Sequence, residues 1–546
     1  MEQKQCKNCN IEFKVTDSDQ EFYKKLEVPE PTHCPDCRQQ RRLAFRNERK
    51  LFKRKCDLCD EDIISFFQEN EPFPVYCSEC WWSDKWDPVD HGQDFDFDRP
   101  FFDQFKELMM KVPKMGMLLY FVENSPYNSL LAYSKNTYMS PGSYYCDDCL
   151  YVRKSQYSTN CMNSNLLDHC ELVADSTNCK SCYNSHHLIN CRNCTDCGYM
   201  ADSFSCENCF MCSGISRKKF HFKNQSYPEE DYHRLVEEHM KRDPKELELE
   251  FNDFNKEIPK KYQNQIQCEN SSGDFLQNCS NAHEAYDCFE VEDCKYMYDC
   301  VGVTDSMDLS FHDKDIELCY ELCSGGDANK NLKFTFCSCL NSDSMYLFVT
   351  MGGHDCFGCD GLHSKQKYCI LNKQYSKEEY FEMRDKVIEH MKKTGEFGEF
   401  FPISLSLYPY NHTSAQDYYP LTKEEALAKG YKWLDEDPKD YSKAATEIPN
   451  DINEVPDSIV KEVLVCKECS KNYKIIEQEL RLSKRMKVPI SHLCADCRQL
   501  KLNKLKNPRK LWDRKCDKCD DPIQTTYAPK KPEKVYCEKC YLKEIV

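Results

Sequence analysis

Residues 191–212 read CRNCTDCGYMADSFSCENCFMC, with cysteine at 191, 194, 197, 206, 209 and 212. Every cysteine from Cys146 to Cys212 falls in the same residue class modulo three. Cys149, Cys170, Cys191 and Cys212 lie 21 apart, and other columns match at that interval: Cys161 with Cys182 and Ser203, Ser164 with Ser185 and Cys206, Val152 with Val173, Cys194 and Ile215. Small or apolar residues returning at a fixed period mark a repeat in which each coil covers the last. The stretch predicts a β-solenoid with coils of about 21 residues.

The runs Cys191-x-x-Cys194-x-x-Cys197 and Cys206-x-x-Cys209-x-x-Cys212 also have the form of iron–sulfur ligands. Against that reading, Ser155, Ser176, Val152 and Val173 occupy the same columns, and thiols behave as small buried hydrophobes. Coils about 4.8 Å apart stack such side chains without any bond. A thiol ladder is the expectation, and a cluster is not.

A less regular array follows, with Cys279, Cys300, Cys319, Cys339 and Cys359 spaced 21, 19, 20 and 20. The two arrays end alike, Cys209-Phe-Met-Cys212-Ser-Gly214 before Asn224-Gln-Ser-Tyr227, and Cys356-Phe-Gly-Cys359-Asp-Gly361 before Asn372-Lys-Gln-Tyr375. A helix candidate follows each; the second opens on a capping box, Ser376 and Glu379, and carries an apolar stripe of Tyr380, Met383, Val387 and Met391. Such helices would cover the open strand edges at the array ends.

Cys-x-x-Cys pairs bracket this middle. The first four are Cys6/Cys9, Cys34/Cys37, Cys56/Cys59 and Cys77/Cys80; the last four are Cys466/Cys469, Cys494/Cys497, Cys516/Cys519 and Cys537/Cys540. Both sets separate their pairs by 24, 18 and 17 residues. A four-thiolate metal site imposes such spacing, because each pair must bring two sulfurs to one ion. Val28-Pro29 also repeats as Val488-Pro489, and Arg54-Lys55-Cys56-Asp57 as Arg514-Lys515-Cys516-Asp517. The ends are thus a duplicated two-site module expected to hold four zinc ions, although tetrathiolate geometry also suits iron. Pairing in sequential order is favoured: a helical 38–55 segment would hold its ends about 27 Å apart, too far for one ion, although Pro508 interrupts any such helix in the second copy. Glycine is missing after the second cysteine of each pair; of Asn10, Arg38, Asp60 and Ser470, only the Asn and Asp take left-handed geometry at modest cost.

Net charge is −18, unevenly placed. Segment 38–55 holds nine basic residues and one acid, and 498–515 holds eight and one, which leaves −33 on the remainder. Arg41, Arg42, Arg46, Arg49, Lys50, Arg54 and Lys55, with Lys501, Lys506, Arg509, Lys510, Arg514 and Lys515, are candidate contacts to nucleic-acid phosphates. The alternative is that they dock on the chain's own acidic surface or on a partner protein.

No phosphate-binding Gly-x-x-x-x-Gly-Lys, Gly-x-Ser-x-Gly or His-Glu-x-x-His occurs. The Asp94, Asp96, Asp98 run resembles a calcium loop, but Arg99 takes the glycine position and Phe105 that of the final acid. His186, His187 and His354 are weak ligand candidates. Catalysis is therefore not expected, and no catalytic residue is assigned. The longest apolar run, Met115–Val122, has eight residues against the roughly 20 that span a bilayer. Forty cysteines behind the opening MEQKQCKNCN, which has no apolar signal segment, point to a reducing, cytoplasmic setting rather than a disulfide scaffold.

Glu21-Phe-Tyr-Lys24 leading to Cys34-Pro-Asp-Cys37-Arg, the run Tyr76-Cys-Ser-Glu-Cys-Trp-Trp-Ser-Asp-Lys-Trp86, and Pro420-Leu-Thr-Lys-Glu-Glu425 with Gly430-Tyr-Lys-Trp433 resemble a family of uncharacterised cysteine-rich zinc-ribbon proteins of small-genome bacteria. The resemblance spans nearly the whole chain. It implies zinc and a cytoplasmic setting, and no established activity.

The expected fold is mainly β: two stacked β-solenoid-like repeat arrays with capping helices, flanked by duplicated two-site zinc-ribbon modules. The divisions are 1–85 and 462–546 for the modules, 86–125 for an aromatic and acidic linker with a helix at Pro100–Lys111, 126–262 and 263–395 for the arrays, and 396–461 for an aromatic linker with a short helix near Lys423–Lys429. The leading functional expectation is a non-catalytic zinc scaffold or adaptor for a macromolecular partner. The alternatives are an RNA- or DNA-binding factor using 38–55 and 498–515, then a metalloenzyme or metal reservoir. A homo-oligomer is compatible with all three.

Overall fold

The computed structural model of the chain describes residues 2–48, 50–435 and 447–545. It is mainly β and divides into two compact units, neither continuous in sequence. Unit one joins the described residues of 1–117 and 263–435; unit two joins those of 118–262 and 447–545. The N-terminal module therefore packs with the second array, and the C-terminal module with the first.

In the array of unit two, strands pair in parallel at a constant offset of twelve: Leu150 with Met162, Met162 with Ala174, Thr177 with Ile189, Ile189 with Ala201, Ala201 with Ser213. Backbone φ turns positive at every third residue, through Asn160, Asn163, Leu166, His169 and onward. A chain that bends every three residues and meets itself every twelve makes four short sides round one interior. The repeat is thus twelve residues, not the 21 expected. Both are multiples of three, and one residue in three points inward, so the inward columns match at either interval; only the hydrogen-bond register selects twelve. The left-handed corners cost an L-residue ~1–2 kcal/mol each, least for Asn and Asp. Accordingly many corners are Asn or Asp, and their side chains bond up the column, as Asn178 to Asn190 (3.1 Å) and Asn190 to Asp202 (3.0 Å).

The interior admits only small or slender side chains and gives them polar work. Inward serines accept from the amide twelve residues on, as Ser158 Oγ does from Cys170 N (3.2 Å) and Ser164 Oγ from Ser176 N (3.1 Å). Inward thiols donate to the carbonyl nine residues on, as Cys146 Sγ does to Ser155 O (3.4 Å) and Cys170 Sγ to Cys179 O (3.4 Å). The serines thus satisfy inward amides that the ladder does not use, as buried amides require, while the thiols share carbonyls such as Ser155 O, which also accepts from Tyr144 N (2.9 Å). Cysteine and serine recur at these inward positions because they are small and can hydrogen-bond.

The array of unit one has the same design with slips. Its offset is eleven at Gln265 with Leu276, twelve at Gly273 with Ala285, thirteen at Met307 with Tyr320, and twelve again at Lys330 with Ser342. Consecutive positive-φ residues, Lys314–Asp315 and Asp327–Ala328, mark inserted residues. These insertions explain the irregular cysteine spacing.

Each array ends in a short antiparallel hairpin followed by helices. In unit two, Tyr232, Leu247 and Phe251 pack on Tyr199, Phe210 and Phe222. In unit one, the helix Lys377–Thr394 opens on the Ser376–Glu379 capping box and buries Tyr380, Val387 and Met391. The helices Phe101–Lys111 and Lys423–Ala428 form as expected, the first receiving Glu396 carboxylate bonds at Phe101 N (2.9 Å) and Phe102 N (2.8 Å). Phe400, Phe401, Tyr408 and Tyr410 are buried, and segment 396–435 belongs to unit one; residues 436–446 of the expected linker lie outside the described ones.

Candidate metal centres

The sixteen module cysteines converge as four groups: Cys6, Cys9, Cys34 and Cys37; Cys56, Cys59, Cys77 and Cys80; Cys466, Cys469, Cys494 and Cys497; Cys516, Cys519, Cys537 and Cys540. In each, the sulfurs all lie within 4.8 Å of one another. The pairing is sequential.

Two local structures build each group. The first pair sits at a hairpin turn, as Cys6 and Cys9 between the strands Glu2–Gln5 and Glu12–Val15, and Cys56 and Cys59 between Phe52–Lys55 and Asp62–Ser65. The turn closes through a left-handed residue after the second cysteine: Asn10, Asp60, Ser470 and Asp520, with φ 59–62°. Ser470 shows that serine also takes this role. The second pair starts a helix, with Cys34 capping Pro35–Leu43 and Cys77 capping Ser78–Trp81. Cys494 likewise caps Ala495–Lys504, and the Cys537/Cys540 pair opens the helix Glu538–Ile545. Arg38 is helical and never needed left-handed geometry. A ribbon takes both pairs from hairpin turns, so the modules depart from the ribbon expectation. A helix N-terminus favours thiolate, since its free amides and dipole face the sulfur.

Burial opposes ionisation of Cys6 and Cys516, but backbone amides aimed at the sulfurs outweigh it and lower both thiols to about 6; Cys56 and Cys466 fall to about 7 in the same way. The amides include Cys34 N on Cys6 Sγ (3.3 Å), Cys77 N on Cys56 Sγ (3.2 Å) and Cys537 N on Cys516 Sγ (3.2 Å). A tetrahedral zinc with Zn–S of about 2.3 Å places sulfurs about 3.8 Å apart. The observed separations are 3.7 Å (Cys9–Cys34), 4.0 Å (Cys59–Cys77), 3.6 Å (Cys469–Cys494) and 3.7 Å (Cys519–Cys537). The donor set therefore fits a four-coordinate thiophilic ion. Among the described residues, no other group of cysteine, histidine and carboxylate side chains converges in this way.

The first basic segment turns inward within unit one. Arg41 meets Glu321 (3.0 Å) and Glu399 (2.9 Å), and Arg42 lies between Asp308 (3.2 Å) and Glu321 (3.5 Å). Arg46 meets Glu48 (2.5 Å), and Arg38 meets Asp308 (2.8 Å) over the Tyr296 ring. All four arginines are buried. Burial works against the Arg38 charge, yet Asp308 holds it well above its ordinary value. This placement corrects the phosphate-contact reading for Arg41, Arg42 and Arg46, whose guanidinium groups are already enclosed by carboxylates. Arg54 is buried on Asp57 (2.7 Å) and Gln68 O (2.7 Å), so it too is withdrawn. Its counterpart Arg514 meets Asp517 (3.1 Å), and Lys501 meets Glu248 (2.6 Å). Lys50, Lys506 and Arg509 are half-buried; Lys55, Lys510 and Lys515 are exposed. Arg49 lies outside the described residues.

The sequence carried no sign of the partners Asp308, Glu321 and Glu399 beyond its acid excess, since they lie about 270–360 residues from the arginines. The weaker ligand candidates are engaged locally: His186 Nδ1 lies 3.1 Å from His187 Nδ1, His354 Nδ1 lies 2.5 Å from Ser342 Oγ, and Asp96 caps Asp98 N at 2.9 Å. No helix is long and apolar enough to cross a membrane among the described residues.

No curated protein matches the chain. Residues 2–46 are similar to a family described as a probable treble clef domain, and that segment contains the first hairpin turn, the first helix-borne cysteine pair and the four sulfurs of the first centre.

Proposed function

We propose that the chain is a non-catalytic zinc scaffold: four zinc ions stiffen two modules, each module is locked to a β-solenoid, and the solenoid surfaces receive a macromolecular partner, foremost a protein assembly. The observation that carries this reading is the four closed tetrathiolate groups, each with four protein ligands and none left for substrate, the pattern of structural rather than catalytic sites. The inward docking of Arg38, Arg41, Arg42 and Arg46 adds support, because it spends the strongest basic segment on holding module to array. Forty cysteines with no disulfide among them suit a reducing, cytoplasmic setting.

Metal analysis of the native protein tests the first half: four zinc per chain is expected, and iron or a metal-free folded chain overturns it. A native pull-down tests the second, with a defined protein partner expected. Nucleic-acid binding would rest on exposed Lys55, Lys510 and Lys515. Retained RNA that dissociates steeply with salt would establish it in place of the scaffold.

A further inference from the structure

The two units repeat one interface. A column of left-handed residues on each array meets the module helix, at Tyr296, Asp308 and Glu321 in unit one and at Tyr151, Asn163 and Asp175 in unit two. The anchors match, with Arg38 over Tyr296 at 5.2 Å and Arg498 over Tyr151 at 4.9 Å. The helix residues that follow do not match. Arg41 becomes Lys501 and Arg42 becomes Leu502.

In unit one, Arg38, Arg41 and Arg42 meet Asp308, Glu321 and Glu399, three cations for three carboxylates. In unit two, Arg498 is taken by Glu479 (2.7 Å) and Lys501 by Glu248 (2.6 Å). Asp175, which stands where Glu321 stands, is left with no cation of its own. Beside it opens a cavity of about 50 Å³, lined by Asp175, Glu248, His187 and Leu502 and by the already paired cations Arg498 and Lys501. At roughly 10–15 Å³ per water by this measure, it holds a group several atoms in size.

We propose that this cavity binds a small organic cation of the guanidinium class, seated on the Asp175 carboxylate where unit one places the guanidinium of its own Arg42. Replacing Arg42 by Leu502 removes the tethered guanidinium; of the two carboxylates it met, Asp308 becomes Asn163 and Glu321 remains as Asp175. Burial pushes the Asp175 carboxyl up, against the pull of Lys501, Arg498 and His186 and a side-chain hydrogen bond with Asn163. His187 beside it is held neutral, pushed down to about 3 by burial and by Lys501, so it supplies no competing positive charge.

Calorimetric titration of the full zinc-loaded chain with agmatine, and separately with a capped Gly-Arg-Gly tripeptide, tests the proposal. One saturable site is expected for at least one of them. Saturation by agmatine marks a free metabolite as the source; saturation by the tripeptide alone marks a peptide side chain. Asp175→Asn should weaken binding at least tenfold, about 1.4 kcal/mol, and Leu502→Arg, which installs the side chain of unit one, should abolish it while keeping four metals per chain. No saturation by either probe at millimolar concentration overturns the proposal. So does equal affinity for putrescine, or binding unchanged in both variants.

Discussion

Units one and two place the same module helix on the same array column, yet they neutralise charge differently. In unit one the acids stand on the array: Asp308 and Glu321 receive the arginines, and the module's Asp19 turns to Lys295 (2.8 Å). In unit two the array offers Asn163 in place of Asp308, and the module's Glu479, at the position of Asp19, takes Arg498 instead. A buried charge needs a partner but not a particular one, so the carboxylate has moved across the interface while the arginine stayed. Geometry is held by the arginine over tyrosine; charge is balanced by whichever side supplies an acid.

The largest effect expected is loss of a metal centre. Cys37→Ser should remove one of four zinc ions and loosen module one, and Cys497→Ser should do the same in module two. Metal counting with limited proteolysis checks this, since a structural zinc contributes on the order of 10 kcal/mol to a small module. Next, Glu321→Gln should leave the buried Arg38, Arg41 and Arg42 with only Asp308 and Glu399 between them and cost about 3–5 kcal/mol. Its counterpart Asp175→Asn should cost under about 1 kcal/mol or stabilise, because it removes a carboxylate with no cation of its own. Urea unfolding of the pair measures the contrast, and equal costs would break the comparison.

His312 gives a pH-dependent contrast. Its ring is buried and is pushed down to about 3 by burial, with Arg46 and Arg42 also working against protonation and the Leu322 backbone working for it. The unfolded chain takes up this proton near pH 6.5 and the folded chain does not, so the stability it contributes is full above pH 6.5 and lost as pH falls toward 3. At pH 5 the loss amounts to about 2 kcal/mol. Unit two has Leu167 at the matching inward position. His312→Leu should flatten the pH dependence of unfolding between 6.5 and 5, and an unchanged slope would refute the assignment. Inside the array, Ser164→Ala should strand the Ser176 amide and cost at least about 1 kcal/mol, whereas Ser164→Cys should cost less.

Much of this was readable in residue order. The Cys-x-x-Cys spacings led to the right four groups because hairpin turn and helix start are local structures a few residues long. The capping box at Ser376 was legible for the same reason. The repeat length was misread, since Cys149 to Cys170 and Cys149 to Cys161 both join inward positions and composition cannot rank them. For the basic segment the charge balance allowed docking on the chain's own acidic surface, which is what Arg38, Arg41 and Arg42 do, but nothing near Arg41 names Glu321 or Glu399.

The sequence by itself determined that four thiolate centres exist, that one residue in three points inward through the arrays, and where the capping helices begin. Each depends on residues close enough along the chain for bond geometry to relate them. Only the tertiary structure decided that module one joins array two, that a circuit takes twelve residues, and that Arg38, Arg41 and Arg42 face inward to Asp308 and Glu321. Those outcomes depend on hydrogen-bond register and on charges brought together from distant segments, where burial makes an unpaired guanidinium too costly to leave alone.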